Sequence, residues 1–345
     1  MSASDCPSYE PPPEFSGLGQ VLGSAITEDP ATGETTLKLG FSMSKIGGRS
    51  TVSAPGATVD SAVSDGTKLS LRGLLHYLWD QAELTRWHPG FAGKRSWATV
   101  RRHLLRAAGS IVARGSALRA RLYIPELFSV EQRDAISARR MSQWAYAVAA
   151  PGKPQQLMLM IAEVKEIVPA RYSYKAIVKH VPDQAFAIDE QLYRRLGRCF
   201  TAELALWGAT ESVHLVVIAT FGISATGIPT IAELSLMPTT PQWLPVEDAF
   251  DQQLTDRLVG DARSFVKGLR YNLPRLHPMA QATLTDTEPE AHMLFVMSPG
   301  LSNEQSGQLL GKFVHPGKSA PWLWRPPSEV MPPLPARASA HSAQR

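Results

Sequence analysis

Residues 157–168 read Leu-Met-Leu-Met-Ile-Ala-Glu-Val-Lys-Glu-Ile-Val, the longest apolar run of the chain, with two acids and a lysine toward its end. The run is long for a strand and short for a helix, so periodicity alone leaves it open. Its surroundings decide. Pro169-Ala170-Arg171 is turn-like, and Tyr174-Lys175-Ala176-Ile177-Val178-Lys179 resumes with strand-forming residues. Together they make 157–168 the first strand of a hairpin. Two more strand pairs follow, 213–221 with 229–236 around Ser224-Ala225-Thr226-Gly227, and 279–285 with 292–298 around Asp286-Thr287-Glu288-Pro289. Helices are predicted at 189–206, burying Leu192, Leu196 and Cys199, and at about 247–269. This order predicts an α+β fold: a largely antiparallel sheet built from β-hairpins alternating with covering helices, preceded by a helical basic segment.

The N-terminal part begins with an extended segment and a hairpin, 20–28 with 35–43, around the turn residues Asp29-Pro30-Ala31-Thr32-Gly33. Residues 44–68 are rich in Ser, Gly, Ala and Thr and read as a linker-like loop. Ser70 caps a helix with Leu71, Leu74, Leu75, Leu78 and Ala82 on one stripe. Ser96 caps a second helix, predicted through about 113, which turns Trp97, Val100, Leu104, Ala108 and Ile111 inward. Thr99, Arg102, His103 and Arg106 lie opposite. Residues 118–124 alternate as a strand, and Ser129-Val130-Glu131-Gln132 reads as a capping box opening a helix to about 149. Its expected buried stripe is Ala138, Met141, Trp144, Ala145 and Val148. The divisions that follow are 1–43, 44–68, a basic helical region 69–150, a hairpin/helix core 151–300, and 301–345, a short helix and a disordered Pro-rich tail. Within that tail Trp322 and Trp324 offer apolar surface to fold back on the domain.

The net charge of +4 is unevenly spread. Residues 86–140 hold twelve Arg and Lys against Glu126, Glu131 and Asp134, a local +9 that leaves −5 for the remainder. A field of this kind attracts polyanions, nucleic acid foremost. An arginine-rich solvated face with internal ion pairs is the plainer explanation. The order helix, connection, helix, strand resembles the start of a winged helix-turn-helix, in which the Ser96 helix presents Arg102 and Arg106 to DNA. The connection from Thr85 to Arg95 is longer than such motifs use. On the nucleic-acid reading the contacts are Lys94, Arg95, Arg102, Arg106, Arg119 and Arg121, joined by Lys267 and Arg270 beside Tyr271 as a phosphate-and-stacking corner. Lys267 and Arg270 at the end of the 247–269 helix equally suit its dipole without a ligand.

Glu163-Val164-Lys165 matches half of a metal-dependent nuclease signature, in which carboxylates hold Mg²⁺ and the lysine positions water. The strand period puts Glu163 and Lys165 on one face, about 7 Å apart. The companion Asp is missing from 118–124, and a surface ion pair at a strand end is the competing account. His180 is a candidate base or ligand oriented by Asp183, or a turn residue at a strand end. Glu233 either completes a carboxylate pair with Glu163 or faces solvent. No Gly-rich phosphate loop, Cys-x-x-Cys or His-Glu-x-x-His occurs. Two cysteines, Cys6 and Cys199, give no disulfide framework and point to the cytoplasm. No window approaches the ~18–20 apolar residues that cross a bilayer, so no membrane partner is expected.

Five stretches carry a family resemblance: Ser16-Gly17-Leu18-Gly19-Gln20, the eleven residues 69–79, Ile161-Ala162-Glu163-Val164-Lys165-Glu166, His180-Val181-Pro182-Asp183, and Phe265-Val266-Lys267-Gly268-Leu269-Arg270-Tyr271-Asn272. With them the chain resembles the bacterial family catalogued as domain of unknown function 1173 over nearly all of residues 6–300. The resemblance implies carriage on plasmids and integrative conjugative elements, and assigns no catalytic residue. It also implies Cys and His residues upstream of the match, which makes Cys6 a remnant of a zinc site. The reading is a mobile-element protein that binds DNA or RNA through its arginine-rich segment. The alternatives are a Mg²⁺-dependent phosphodiesterase using Glu163 and Lys165, and a non-catalytic scaffold for protein partners in a conjugation or partition complex.

Overall fold

The computed structural model describes residues 9–45, 66–171, 173–297 and 320–338. Cys6 and most of the linker-like stretch lie outside the described residues. Seen from the 157–168 run, the fold is a closed barrel of five strands: β1 Met158–Pro169, β2 Tyr174–Val178, β3 Phe186–Ile188, β4 His214–Ile223 and β5 Pro229–Thr239. Around the barrel the order is β1-β2-β3-β5-β4 and back to β1. Every pairing is antiparallel except β3 with β5, which is parallel through Ala187 and Thr230. Closure removes the free sheet edges.

The apolar run now has its cause. Met158, Met160, Ala162 and Val164 point into the barrel with Phe186, Ile188, Leu215, Val217, Phe221, Ile231 and Leu236. Leu159 and Ile161 point outward, yet are buried too, with Val216, Ile218 and Met237 beneath two helices. These are α1 Leu71–Gln81, capped by Ser70, and α2 Trp97–Ala107, capped by Ser96. A strand covered on both faces has no reason to alternate. At Lys165 the ladder skips one residue of β1, since Val164 pairs with Val178 and Glu166 with Ile177. That bulge bends the strand, whose first half pairs with β4 and whose second half pairs with β2. A short strand, Leu122–Tyr123, runs parallel to β1 on its outer side.

After α3, Arg133–Trp144, the chain enters the barrel, and α4 Glu190–Cys199 and α5 Thr201–Ala209 connect β3 to β4. Leu192 and Leu196 of α4 join the barrel interior, with Tyr123, Trp144, Phe186 and Phe221 in edge-to-face contact. The strand order, the parallel third and fifth strands and the helix between the third and fourth are the Greek-key connectivity of the OB barrel. After α6, Ala249–Gly260, a second sheet has the order Trp322–Trp324, His292–Val296, Ala282–Leu284, Phe265–Lys267 and Arg86–Trp87. The expected hairpin of 279–285 with 292–298 is its centre.

Several boundaries differ from expectation. The helix opened by Ser96 stops at Ala107, and Ile111–Ala113 becomes a strand parallel to Thr35–Leu37. The expected strand 118–124 is a 3₁₀ turn, Leu118–Arg121, followed by Leu122–Tyr123, so the wing of a winged helix is not built from it. The N-terminal hairpin is shorter, Ile26–Glu28 with Thr35–Leu37, because Leu18–Val21 forms a helical turn. Helix α3 has no capping box: the Ser129 hydroxyl donates to Glu131, and Gln132 stands at the cap. Its buried face is Ile136, Arg140 and Trp144, while Met141 and Val148 are exposed. The helix expected over 247–269 ends at Gly260, and Lys267 lies on a strand, so neither it nor Arg270 ends a helix. Phe200 splits the expected 189–206 helix, and Cys199 is half-buried at the break. Finally, residues 320–338 of the expected disordered tail pack on the second sheet. Trp322 and Trp324 are buried, Trp322 Nε1 donates to the Pro333 carbonyl, and Ala338 N–H to the Asp286 carbonyl.

Candidate functional site

Glu163 sits where β1 leaves the covered part of the barrel, and only 4% of its side chain is exposed. Its Oε1 accepts from His214 Nδ1 at 2.6 Å and from Lys179 Nζ at 2.5 Å. The strands deliver both donors: His214 opens β4 beside β1, and Lys179 follows β2, its N–H bonded to the Glu163 carbonyl. Burial alone raises the Glu163 carboxyl, but the bonds from His214 and Lys179 overcome this and hold it below the usual carboxylate range. The His214 ring lies flat on Trp243, centroids 4.1 Å apart, and Trp243 meets Trp97 of α2 at 5.5 Å. His180 stacks on Trp97 at 6.2 Å. Both His180 (φ 68°) and Trp243 (φ 61°) hold left-handed backbone, a strain that gathers at functional sites. With Nδ1 committed to Glu163, the His214 side chain is 23% exposed, and Nε2 has no hydrogen-bond partner among the described residues. An imidazole oriented by a buried carboxylate is an arrangement able to accept a proton at Nε2.

The other candidate residues are not brought to this centre in the expected way. Lys165 occupies the bulge, exposed, and the lysine on Glu163 is Lys179 instead. Asp183 pairs in a fork with buried Arg140, not with His180, whose Nδ1 lies 3.4 Å from the Phe128 N–H. The bonds from Arg140 hold the Asp183 carboxyl low, whereas burial lowers His180. Glu233 pairs with Thr220 on β4 and Glu163 with Val216, four residues along the strand, or about 13 Å. The two carboxylates therefore do not converge. Burial raises Glu233. The donor set does not fit Mg²⁺: Glu163 Oε1 is taken by the donors Lys179 Nζ and His214 Nδ1, and among the described residues no three His, Cys, Asp or Glu side chains gather as ligands.

The basic segment divides into structural and free cations. Arg95 donates to the carbonyls of Leu84, Arg86 and Gln242 and lies over the Trp87 and Phe91 rings. Arg101 bonds the Ile124 carbonyl, Arg139 forks onto Glu126, and Arg86 is 3.6 Å from Glu10. Arg121 lies over Tyr146. Lys94, Arg102 and Arg106 are exposed, and their side chains have no hydrogen-bond or ion-pair partner among the described residues. Arg119 is exposed and donates to the Leu105 carbonyl, in the last turn of α2.

Lys267 and Arg270 are internal. Lys267, 1% exposed, donates to Asp251 at 2.5 Å and to Thr255 at 3.2 Å, and Arg270 forks onto Glu247. Both cations are engaged by carboxylates of the chain itself, so that corner serves as a packing centre. Three resemblance stretches meet there. Asn272 accepts from Ser70, Arg72 donates to the Tyr271 and Leu273 carbonyls, His76 Nδ1 accepts from the Tyr271 N–H, and Gly17 N–H donates to Leu269. Of the other two stretches, 161–166 supplies Glu163, and 180–183 directly follows Lys179, whose ammonium meets it. A cavity of about 430 Å³ lies away from Glu163, lined by Pro13, Asp80, Arg86 and Tyr271.

The model of the family described as “Protein of unknown function (DUF1173)” matches residues 1–327. The chain belongs to that family. No curated protein and no solved structure matches this DUF1173 chain. Among its described residues no helix is long and apolar enough to cross a membrane. His214 and Trp243 escaped the sequence reading, as did the role of Lys179. The available signal was a histidine opening a strand whose outward residues, Val216 and Ile218, lie beside those of β1.

Proposed function

We propose that the chain binds nucleic acid through the exposed face of α2. One observation carries this reading: Arg102 and Arg106, one turn apart, are exposed on a helix without a single acid and have no partner among the described residues. Arg119, held by the Leu105 carbonyl, adds a third guanidinium to the end of that face, and exposed Lys94 precedes its start. Guanidinium groups spaced along a helix suit consecutive phosphates and release counterions when they bind. Carriage on a mobile element, which the family resemblance implies, accords with work on nucleic acid. The test is the salt dependence of binding for the parent and for Arg102→Ala/Arg106→Ala. Loss of affinity with a shallower salt response supports the reading, and an unchanged response contradicts it.

The phosphodiesterase reading has less support, because the Glu163 carboxylate is engaged by Lys179 and His214 and Lys165 stands apart. A scaffold role that uses the Pro-rich tail as a docking segment has less support as well, since Trp322 and Trp324 are buried against the chain's own second sheet.

A further inference from the structure

Glu163 holds His214 by Nδ1, which puts the proton of the neutral ring on that nitrogen and leaves Nε2 with a lone pair. No described residue bonds Nε2, and the side chain is 23% exposed. Trp243 lies flat on the ring, planes 5° apart, so the imidazole is held by an edge and by a face. The second donor on the same oxygen is Lys179 Nζ. An ammonium has three N–H groups; Glu163 takes one, and the lysine side chain is 44% exposed. A base and a cation thus meet on one buried carboxylate oxygen. They also adjoin the helix on which the nucleic-acid reading rests. Trp97, the first residue of α2, contacts both Trp243 and His180, the residue after Lys179. His214 is therefore two ring contacts from the first turn of α2, with exposed Lys94 just ahead of that turn and exposed Arg102 and Arg106 beyond it.

We infer that His214 is the general base of a site that cleaves RNA. The site offers an imidazole base and an ammonium, but its one carboxylate is already engaged, so the nucleophile has to come with the substrate. The 2′-hydroxyl of RNA is such a nucleophile, and DNA lacks it. Nε2 takes the 2′-hydroxyl proton, the 2′-oxygen bonds to the neighbouring phosphorus, and the bond from phosphorus to the 5′-oxygen breaks. The departing 5′-oxygen takes a proton from water, and the imidazolium returns one to the hydroxide left behind. The products are a 2′,3′-cyclic phosphate and a 5′-hydroxyl, with no net consumption of water. Lys179 supplies positive charge for the phosphoryl oxygens as their negative charge grows. This differs from the Mg²⁺-dependent reaction considered above, because the bonds from His214 and Lys179 to Glu163 are what set it up. The activity rests on the nucleic-acid reading: a chain that does not bind RNA does not cut it.

The full chain is incubated in EDTA with labelled single-stranded RNA of mixed sequence, with the same sequence as DNA, with its fully 2′-O-methylated form and with a DNA duplex, and anisotropy records binding alongside cleavage. The expected result is RNA cut to fragments ending in 2′,3′-cyclic phosphate, identified by mass, while the DNA and methylated strands stay whole. The methylated strand tests the nucleophile on the parent protein, without any variant. His214→Gln, at the parent's melting temperature, is expected to slow cleavage by about a hundredfold or more and to change RNA affinity by less than about twofold. RNA bound by the parent and left whole, or duplex binding without RNA binding, overturns this inference alone and leaves the α2 reading standing. Cleavage of the DNA or methylated strand, or cleavage that His214→Gln leaves unchanged, also overturns it. Binding of none of the four nucleic acids overturns both readings.

Discussion

His214 Nδ1 donates to Glu163 Oε1 across neighbouring strands of a closed barrel, at 2.6 Å, with the imidazole lying flat on Trp243. The bond fixes the ring by Nδ1 and leaves Nε2 without a hydrogen-bond partner among the described residues. With Lys179, just past β2, on the same oxygen, a nearly buried carboxylate accepts from two donors that different strands deliver.

Glu163→Gln is expected to lower stability by about 1–3 kcal/mol at neutral pH, because it removes charge from a buried acceptor of two bonds. The folded carboxyl titrates below its ordinary value of 4.5. Its contribution is therefore complete above that pH and disappears as pH falls through the lower folded value. Urea unfolding at pH 7 and at pH 3 checks this: the gap between parent and variant narrows in acid. A gap that is constant or wider in acid contradicts it.

A second pH dependence comes from His76. Its Nδ1 accepts from the Tyr271 N–H at 2.9 Å, and burial, helped by Arg72, lowers it to about 3. The unfolded imidazole takes up a proton near 6.5 while the folded one stays neutral. Stability is thus full above that value and falls as the medium is acidified toward 3, by up to about 1.4 kcal/mol per pH unit. Histidine NMR should show one imidazole neutral at pH 5. Protonation of every histidine by that pH refutes the assignment.

Lys267→Ala is expected to cost about 3–5 kcal/mol, because it strands Asp251 in the interior. It should leave nucleic-acid affinity unchanged at a temperature where the variant is folded. Thermal unfolding and anisotropy on one preparation separate the two effects. A stable variant with weakened binding is the contrary result.

Gly268→Ala places a methyl group against the Ala280 carbonyl, just ahead of the strand Ala282–Leu284 of the second sheet. Backbone cannot yield cheaply, so a loss of about 1–3 kcal/mol is expected. Gly197→Ala on α4, where a methyl group meets nothing within 4 Å, is the control and should be neutral or slightly stabilising. Comparable losses in both variants contradict the account.

The local parts of this fold were legible in the sequence, and the long-range parts were not. The β1–β2 hairpin announces itself through Pro169-Ala170-Arg171 between apolar stretches, and Ser70 and Ser96 mark their helices by capping chemistry. Helical periodicity misled in two places. Leu254, Leu258, Phe265 and Leu269 keep helical spacing straight through the turn at Gly260–Ala262, as Trp97, Val100, Leu104, Ala108 and Ile111 do through Gly109. Barrel closure depends on a parallel contact between Ala187 and Thr230, more than forty residues apart, which leaves no local mark. The same holds for the site. Glu163 stood out as an acid in an apolar strand, but its partners Lys179 and His214 come from elsewhere in the chain. The charge count of 86–140 was real, yet it overstated the free charge, because Arg95, Arg101, Arg139 and Arg140 bond carbonyls and carboxylates.

The central claim is that phosphates dock on Arg102 and Arg106. It is tested most directly by fluorescence anisotropy of a labelled duplex over a series of salt concentrations, comparing the parent with Arg102→Ala/Arg106→Ala. The expected result is a steep fall of log K with log salt for the parent and a slope shallower by about 1.8 for the variant. A flat response in the parent, or the same slope in both proteins, contradicts the account.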